Sequence, residues 1–171
     1  MSAVPTPIAP ACAFAPAAPR VVRLTLPYPI SANRYWRPVN IGNHITIVPT
    51  KEAKEYRAEV KALAFAAGVW QPLHGRVQVV LQLFPHRPLD WQKRQRQHGA
   101  LWDDTVQCID LTNAEKVLLD ALNGVAFEDD KKIWDYHAKR MEPDAGDSRV
   151  VLWVRQMPAP VVQGDLLGAA A

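Results

Sequence analysis

The sequence predicts one α+β domain, a mixed sheet of about five strands with two main helices packed on it. Segments that alternate apolar and polar residues are interleaved with helical segments, which favours βαβ-like connections. The last two predicted strands follow each other across a short turn, which argues against a doubly wound sheet. The chain has 171 residues, of which 49% are hydrophobic, enough for one domain with a sizeable core.

Two terminal segments are expected to lie outside this domain. Residues 1–19 alternate Ala and Pro without charge, a composition that holds neither a helix nor a sheet ladder, so a disordered tail is predicted. Residues 157–171 are interpreted as a flexible C-terminal tail. The domain is therefore placed at residues 20–156.

The first half of the domain is predicted to hold three strands and one helix. Residues 20–26 alternate in the manner of a strand, residues 44–48 form a short β-branched run, and residues 76–84 alternate most clearly. Thr50 is a suitable N-cap for a helix over residues 51–67. The solvated side of this helix is predicted to carry Lys51, Lys54, Arg57 and Lys61.

The second half is predicted to hold an amphipathic helix and two strands. The helix covers residues 113–123. Its core-facing side consists of Val117, Leu118, Ala121 and Leu122. Residues 131–141 and 148–156 are predicted strands, joined by a turn over residues 142–146, and we expect them to pair as a hairpin.

Charge and cysteine content exclude few functions. A formal charge of +3 and a pI near 9.0 are mildly basic and do not by themselves indicate a nucleic-acid partner. Cys12 and Cys108 match no zinc or redox spacing, and no disulfide is expected. Because no apolar run reaches about 18 residues, no membrane contact is expected. A cytoplasmic protein is predicted.

Two segments combine cations with aromatic residues, as DNA-binding surfaces do. Residues 85–107 form an unusually long connection between predicted elements. Its cations Arg87, Lys93, Arg94 and Arg96 suit contact with a phosphate backbone, although a solvated charge run or a short helix is the alternative. Arg34 and Arg37 in the aromatic segment 27–37 suit the same role, and a loop packed at the core edge is the alternative.

Acidic residues at both ends of the predicted helix 113–123 point to metal chemistry. Asp110 precedes the helix, and Asp129 and Asp130 follow it. Hard cations such as Mg²⁺ prefer carboxylate oxygens, and Lys116 on the helix can offset charge on a phosphate. The alternative is a local ion pair between Lys116 and Asp120. Asp110 lies close to Asp129 and Asp130 only if the loop after the helix folds back along it.

With these segments described, the sequence resembles the RusA family of Holliday-junction resolvases, known mainly from bacteria and their prophages. The resemblance covers roughly residues 22–156, with residues 85–107 as an insertion. It rests on three segments: Leu26-Pro-Tyr-Pro with Asn33-Arg-Tyr-Trp, Asp110-Leu-Thr-Asn113 with Lys116 and Asp120, and Asp129-Asp130 with Asp135-Tyr136.

The resemblance implies a homodimer that cuts four-way DNA junctions symmetrically with Mg²⁺, in recombination and repair. The family's catalytic residues fall on Asp110, Lys116 and Asp130. Its Mg²⁺ ligands fall on Asp110 and Asp130, with Asp129 beside them. Residues that would orient these ligands are Thr112, Asn113 and Asp120.

One position departs from the family pattern, which has Asp where this chain has Thr112. Thr112 can offer a neutral oxygen to Mg²⁺, or it can begin a capping box with Glu115. Alternatively, the lost carboxylate leaves a branched-DNA-binding protein without cleavage. Carboxylates that can substitute for it are Glu115, Asp103 and Asp104.

Four tryptophans are candidates for a dimer interface. They are Trp36, Trp70, Trp91 and Trp102. Aromatic side chains of this kind are equally suited to burial in the core, so the sequence leaves both interpretations open.

Overall fold

The structure is a computed structural model that describes residues 19–158. The two predicted tails therefore lie outside the described residues, except for residues 19, 157 and 158. The backbone N–H of Met157 donates to the carbonyl oxygen of Arg76 at 2.8 Å, so the described chain remains attached to the sheet through Met157.

Six strands and four α-helices make up residues 19–158. The strands are β1 (Val21–Pro27), β2 (Trp36–Ile41), β3 (His44–Pro49), β4 (Val77–Phe84), β5 (Ile133–Arg140) and β6 (Arg149–Gln156). The helices are α1 (Ala32–Tyr35), α2 (Lys51–Ala66), α3 (Trp91–His98) and α4 (Leu111–Leu122). Two 3₁₀ helices cover Gly99–Thr105 and Asp130–Lys132.

The main sheet has the strand order β1-β6-β4-β5. Strand β4 runs parallel to β5 and antiparallel to β6, and β1 runs antiparallel to β6. Strands β2 and β3 form a separate antiparallel hairpin. This mixed arrangement confirms the predicted α+β class, with two main helices, α2 and α4, beside it.

The predicted pairing of the last two strands is wrong, because β4 lies between β5 and β6. Strand β4 alternates buried and half-buried residues along its whole length, so neither of its two faces is fully exposed. A central position lets its side chains contact cross-strand neighbours on both sides. Residues 141–148 form the connection, and it crosses two strand spacings, about 10 Å. A linking segment of that length permits the crossover, whereas the sequence pattern alone does not distinguish it from a hairpin turn.

Helices α2 and α4 pack on one side of the main sheet and close the core. The hydroxyl oxygen of Thr50 accepts from the backbone N–H of Ala53 at 3.2 Å, which confirms the predicted N-cap of α2. Helix α4 begins two residues earlier than predicted, at Leu111. Its core-facing side is confirmed and consists of Ala114, Val117, Leu118, Ala121 and Leu122.

Residues 85–107 are folded rather than an open loop, since they contain α3 and the first 3₁₀ helix. Trp102 is 3% exposed, which rules it out as a surface aromatic, and its Nε1 donates to Glu142 Oε1 at 2.9 Å. Arg140 donates to the carbonyl oxygens of Asp103 and Val106, at 2.7 and 2.9 Å. These bonds anchor the segment to the end of β5. Within residues 19–158, no helix has the length and apolar character that a membrane span requires.

Candidate active site

Asp110 is the N-cap residue of α4, with extended backbone angles. Its carboxylate makes none of the usual capping bonds to the helix backbone. Instead, the Nδ2 of Asn113 donates to Asp110 Oδ2 at 3.2 Å. The Asp110 side chain is thus oriented by one neighbour, and its carboxylate stays exposed and available to a ligand.

Tyr28 fixes the chain immediately before Asp110. The backbone N–H of Ile109 donates to the Tyr28 hydroxyl oxygen at 3.0 Å, and the same hydroxyl lies 3.2 Å from the Cys108 sulfur. Burial, followed by the contact with Cys108, raises the pKa of Tyr28 to about 12. Tyr28 is therefore a neutral phenol at physiological pH, and it sets where α4 begins.

Thr112 lies inside α4 as its second residue and is exposed. The predicted capping box of Thr112 with Glu115 is wrong, because the helix already starts at Leu111 and Asp110 occupies the cap position. Thr112 is also outside the set of residues that line the two clefts described next.

A first cleft of about 900 Å³, which we call the insertion cleft, lies between the start of α4, the segment around α1 and residues 85–107. Asp110 and Asn113 line it from α4. The cationic and imidazole groups that line it are Arg34, His86 and Arg94. One carboxylate thus shares this cleft with two guanidinium groups and one imidazole.

A second cleft of about 520 Å³, the α4 cleft, runs along the polar side of α4. Its polar lining from α4 and the second 3₁₀ helix consists of Asn113, Glu115, Lys116, Asp120 and Asp130. Asn33 and Asn113 line both clefts, so the clefts adjoin at these two side chains. The structure therefore brings Lys116, Asp120 and Asp130 to one cleft and places Asp110 on the adjoining one.

Asp120 is held by groups from outside α4. Nη2 of Arg57 on α2 donates to the carbonyl oxygen of Asp120 at 3.2 Å and lies 3.7 Å from its Oδ2. Arg57 therefore pairs with Asp120 and does not belong to a purely solvated side of α2. Within residues 19–158, Asp120 Oδ2 and the Tyr35 hydroxyl are buried without a hydrogen-bond partner. Burial and then the Asp120 carboxylate raise the pKa of Tyr35.

The two neighbouring acids after α4 have different surroundings. Asp129 Oδ1 accepts from the backbone N–H of Lys131 at 2.9 Å and caps the second 3₁₀ helix. That bond, followed by one to Asp130, lowers the pKa of Asp129. Asp130 is exposed and lines the α4 cleft, whereas Asp129 lines neither cleft. Asp130 is thus the better placed of the two, and Asp129 as a metal ligand stays a prediction.

Lys116 is the cation of the α4 cleft. It is exposed, and no carboxylate within residues 19–158 lies within 4.0 Å of its amine. An exposed ammonium without an internal counter-ion is free to meet an anionic ligand. Glu115 on the same helix lines the same cleft, whereas Asp103 and Asp104 line neither cleft.

The predicted DNA-binding cations fall into two groups. Arg37, Lys93 and Arg96 are exposed, and Arg87 is half-buried with its guanidinium 4.8 Å from the Trp91 ring centre. Arg34 and Arg94 already have partners in the fold. Arg34 pairs with Glu52 at 2.7 Å. Arg94 pairs with Asp90 at 2.8 Å and donates to the carbonyl oxygen of Thr105 at 2.8 Å.

The carboxylates of the two clefts suit a Mg²⁺ ion that is bound partly by the substrate. They are too few to supply all the ligands of the ion. Within residues 19–158, no group of three or more His, Cys, Asp or Glu side chains lies close enough to hold a metal ion. Mg²⁺ usually takes one or two carboxylates and completes its shell with water and substrate phosphate. The exposed carboxylates of Asp110 and Asp130 match that chemistry.

Residues 27–155 match the family model described as endodeoxyribonuclease RusA, which is well over half of the chain. The chain belongs to the RusA endodeoxyribonuclease family. The matched range begins just before Tyr28 and ends within β6, so the RusA match includes every residue named above in the two clefts. No match was found among curated proteins.

Sequence reasoning missed three residues of this site: Asn33, which joins the clefts, Tyr28, which positions the start of α4, and Arg57, which holds Asp120. Asn33 and Tyr28 belong to the quoted family motif, which was a usable signal. Arg57 is separated from Asp120 by 63 positions, and nothing in the local pattern indicates that contact.

Tyr28→Phe removes the hydroxyl that accepts from Ile109. We expect the free energy of unfolding to fall by about 1–3 kcal/mol, because a partly buried N–H loses its partner. Urea denaturation measures this. Tyr136→Phe is the matched control, since the Tyr136 hydroxyl is buried without a partner and its removal is expected to cost nothing. Equal losses in both variants would contradict the role given to Tyr28.

Proposed function

We propose that the protein is a Mg²⁺-dependent endodeoxyribonuclease that resolves Holliday junctions in DNA recombination and repair. Family membership supports nuclease chemistry. The observation that carries the proposal is the α4 cleft, where an unpaired Lys116 lies with Asp120 and Asp130 beside the cleft of Asp110. In keeping with a family that is known mainly from bacteria and their prophages, we propose that the protein acts in the cytoplasm.

Each group of the two clefts has a distinct role in this proposal. Asp110 and Asp130 would hold Mg²⁺, which supplies charge stabilisation at the scissile phosphate and an activated water when bound. The Lys116 ammonium offsets negative charge that develops on the phosphate oxygens in the transition state. Asn113 keeps the Asp110 carboxylate oriented through its amide. Arg57 keeps Asp120 in place on the floor of the α4 cleft.

The proposed substrate is four-way or branched DNA, and three exposed cations outside the cleft linings suit its phosphates. Arg37 on β2 and Lys93 and Arg96 on α3 have no carboxylate within 4.0 Å among residues 19–158. Contacts of this kind position a duplex without reading its sequence. Arg94 serves mainly to hold residues 85–107 in shape, since its donors already have partners within that segment.

We also propose a homodimer, because two symmetric cuts in a junction require two centres related by a two-fold axis. The β2–β3 hairpin supports this proposal. Its register places Trp36, Ile45 and Ile47 on one uncharged face, at 44%, 74% and 66% exposure. Two copies can pair such a face without burying a charge.

Light scattering on the full chain should give twice the chain mass, and Ile45→Lys with Ile47→Lys should give the monomer mass.

Asp110→Asn tests the assigned centre. We expect junction cleavage in Mg²⁺ to fall by about 100-fold or more, because the exposed carboxylate at the start of α4 is lost. Junction binding should persist or strengthen, since a negative charge near phosphate is removed. A labelled synthetic junction, run alongside linear duplex, measures both quantities.

The matched control is Asp104→Asn, an exposed acid that lines neither cleft, and it should cut at the wild-type rate. Undiminished cleavage by the Asp110→Asn variant would show that the centre lies elsewhere.

The alternative function is a non-catalytic protein that binds branched DNA, and Thr112 is the observation that favours it. Glu115 lines the α4 cleft with Asp130 and offers the carboxylate that Thr112 lacks, which supports the active enzyme. Wild-type cleavage in millimolar Mg²⁺ separates the two functions.

Thr112→Asp restores the carboxylate of the family pattern. For an active enzyme, we expect this variant to cut at a lower Mg²⁺ concentration than wild type, because a carboxylate two residues from Asp110 adds negative charge beside the proposed ion even though residue 112 lines neither cleft. A Mg²⁺ titration of cleavage measures the shift, and Thr112→Asn is the uncharged control. If wild type binds junctions but never cuts, and Thr112→Asp gains cleavage, the alternative function is correct.

A further inference from the structure

The main sheet has a second face, turned away from α2 and α4. Alternate residues of its strands, such as Leu24 on β1 and Leu81 on β4, are buried under the helices. Their neighbours in the chain point to the opposite side, where most side chains are exposed or half-buried. We call this side the outer sheet face. It lies across the sheet from the α4 cleft, and none of the roles assigned above uses it.

The outer sheet face carries cations on three of its four strands. Arg23 on β1, Trp153 on β6 and His137 on β5 lie in one row across the sheet, because both Trp153 and His137 are paired with Val80 of β4. Arg155 follows Trp153 by two residues, and Lys139 follows His137 by two, so both project from the same face. These cations are exposed.

The charges of this face are unbalanced. Within residues 19–158, no carboxylate lies within 4.0 Å of Arg23, Lys139 or Arg155. Asp135 is the acid on this face of the described strands. It is already engaged, since His137 Nε2 lies 2.9 Å from its Oδ1 and the Gln78 amide donates to its Oδ2. Three cations are therefore without internal counter-ions.

The shape and charge of the outer sheet face favour a phosphate backbone over a second protein copy. Two copies related by a two-fold axis would bring like charges together, which costs several kcal/mol. The cations extend over three strand spacings, about 14 Å, a width comparable to the DNA major groove of about 12 Å. Phosphates on both sides of such a groove are therefore within reach of cations spread over that width.

Arg23 and Trp153 favour phosphate contact over base stacking. The Arg23 guanidinium lies 5.5 Å from the Trp153 ring centre, so it shares the aromatic surface that a base would need. The stacked ring also restricts the guanidinium and holds its donors near the face. Duplex DNA, rather than unpaired strands, is the ligand that matches this arrangement.

We propose that the outer sheet face, through Arg23, Lys139 and Arg155, binds the phosphate backbone of a duplex arm of the branched substrate. This inference rests on the proposed function, because it assumes that the chain engages branched DNA at its clefts. The sheet then acts as a second contact surface, which holds an arm on the side away from the reaction.

The test is a triple variant, Arg23→Ala with Lys139→Ala and Arg155→Ala, in the full chain. We expect weaker junction binding by fluorescence anisotropy, and a plot of log affinity against log salt whose slope is smaller by about 2–3, near 0.9 for each lost phosphate contact. The cleavage rate at saturating junction should equal that of wild type, because no cleft residue is changed.

The control variant, Lys51→Ala with Lys54→Ala and Lys61→Ala, removes the same charge from the exposed side of α2. It should keep the wild-type salt slope.

The inference is overturned if the triple variant and the control bind alike, if wild type prefers single strands to duplex arms, or if the triple variant loses the dimer mass. Failure of the proposed function differs from these results, because wild type itself would then neither bind nor cut a junction.

Discussion

The position of the first residue of α4 governs the rest of the site. The Tyr28 hydroxyl holds the N–H of Ile109, and the helix begins two residues later with Asp110 as its cap residue. The apolar side of α4 is then committed to the core, with Val117 and Leu118 fully buried. Because a helix places residues three and four apart on one side, the polar groups must line the α4 cleft together.

The supporting contacts come from parts of the chain that are distant in sequence. Arg57 of α2 reaches Asp120, and Asn33 beside α1 joins the two clefts. The anchored segment of residues 85–107 forms one wall of the insertion cleft. The Asp110 and Asp130 carboxylates repel each other unless a cation lies between them, and the unpaired Lys116 ammonium favours an anionic ligand beside it, which is what a metal ion and a phosphate would supply.

Local patterns predicted helices α2 and α4 and five of the six strands described in residues 19–158, but they missed β2 and the long-range arrangement of the strands. The amphipathic spacing of α4 identified its buried side, and Thr50 identified the start of α2, since both signals act within a few residues. The position of β4 between β5 and β6 depends on its side-chain contacts with both strands, and no local sequence pattern predicts those contacts. The capping box at Thr112 failed because the helix already begins at Leu111, and the contact of Tyr28 with Ile109, which is distant in sequence, holds the chain just before that residue.

The proposed mechanism depends on Asp110 and Asp130 holding one ion between the two adjoining clefts. Crystals of the full chain with junction DNA and Mn²⁺, measured at the manganese edge, would locate that ion. We expect an anomalous peak with oxygen atoms of both carboxylates and of a DNA phosphate as ligands, at about 2.0–2.3 Å. Metal bound elsewhere, or two carboxylates about 10 Å or more apart with no shared ion, would contradict it.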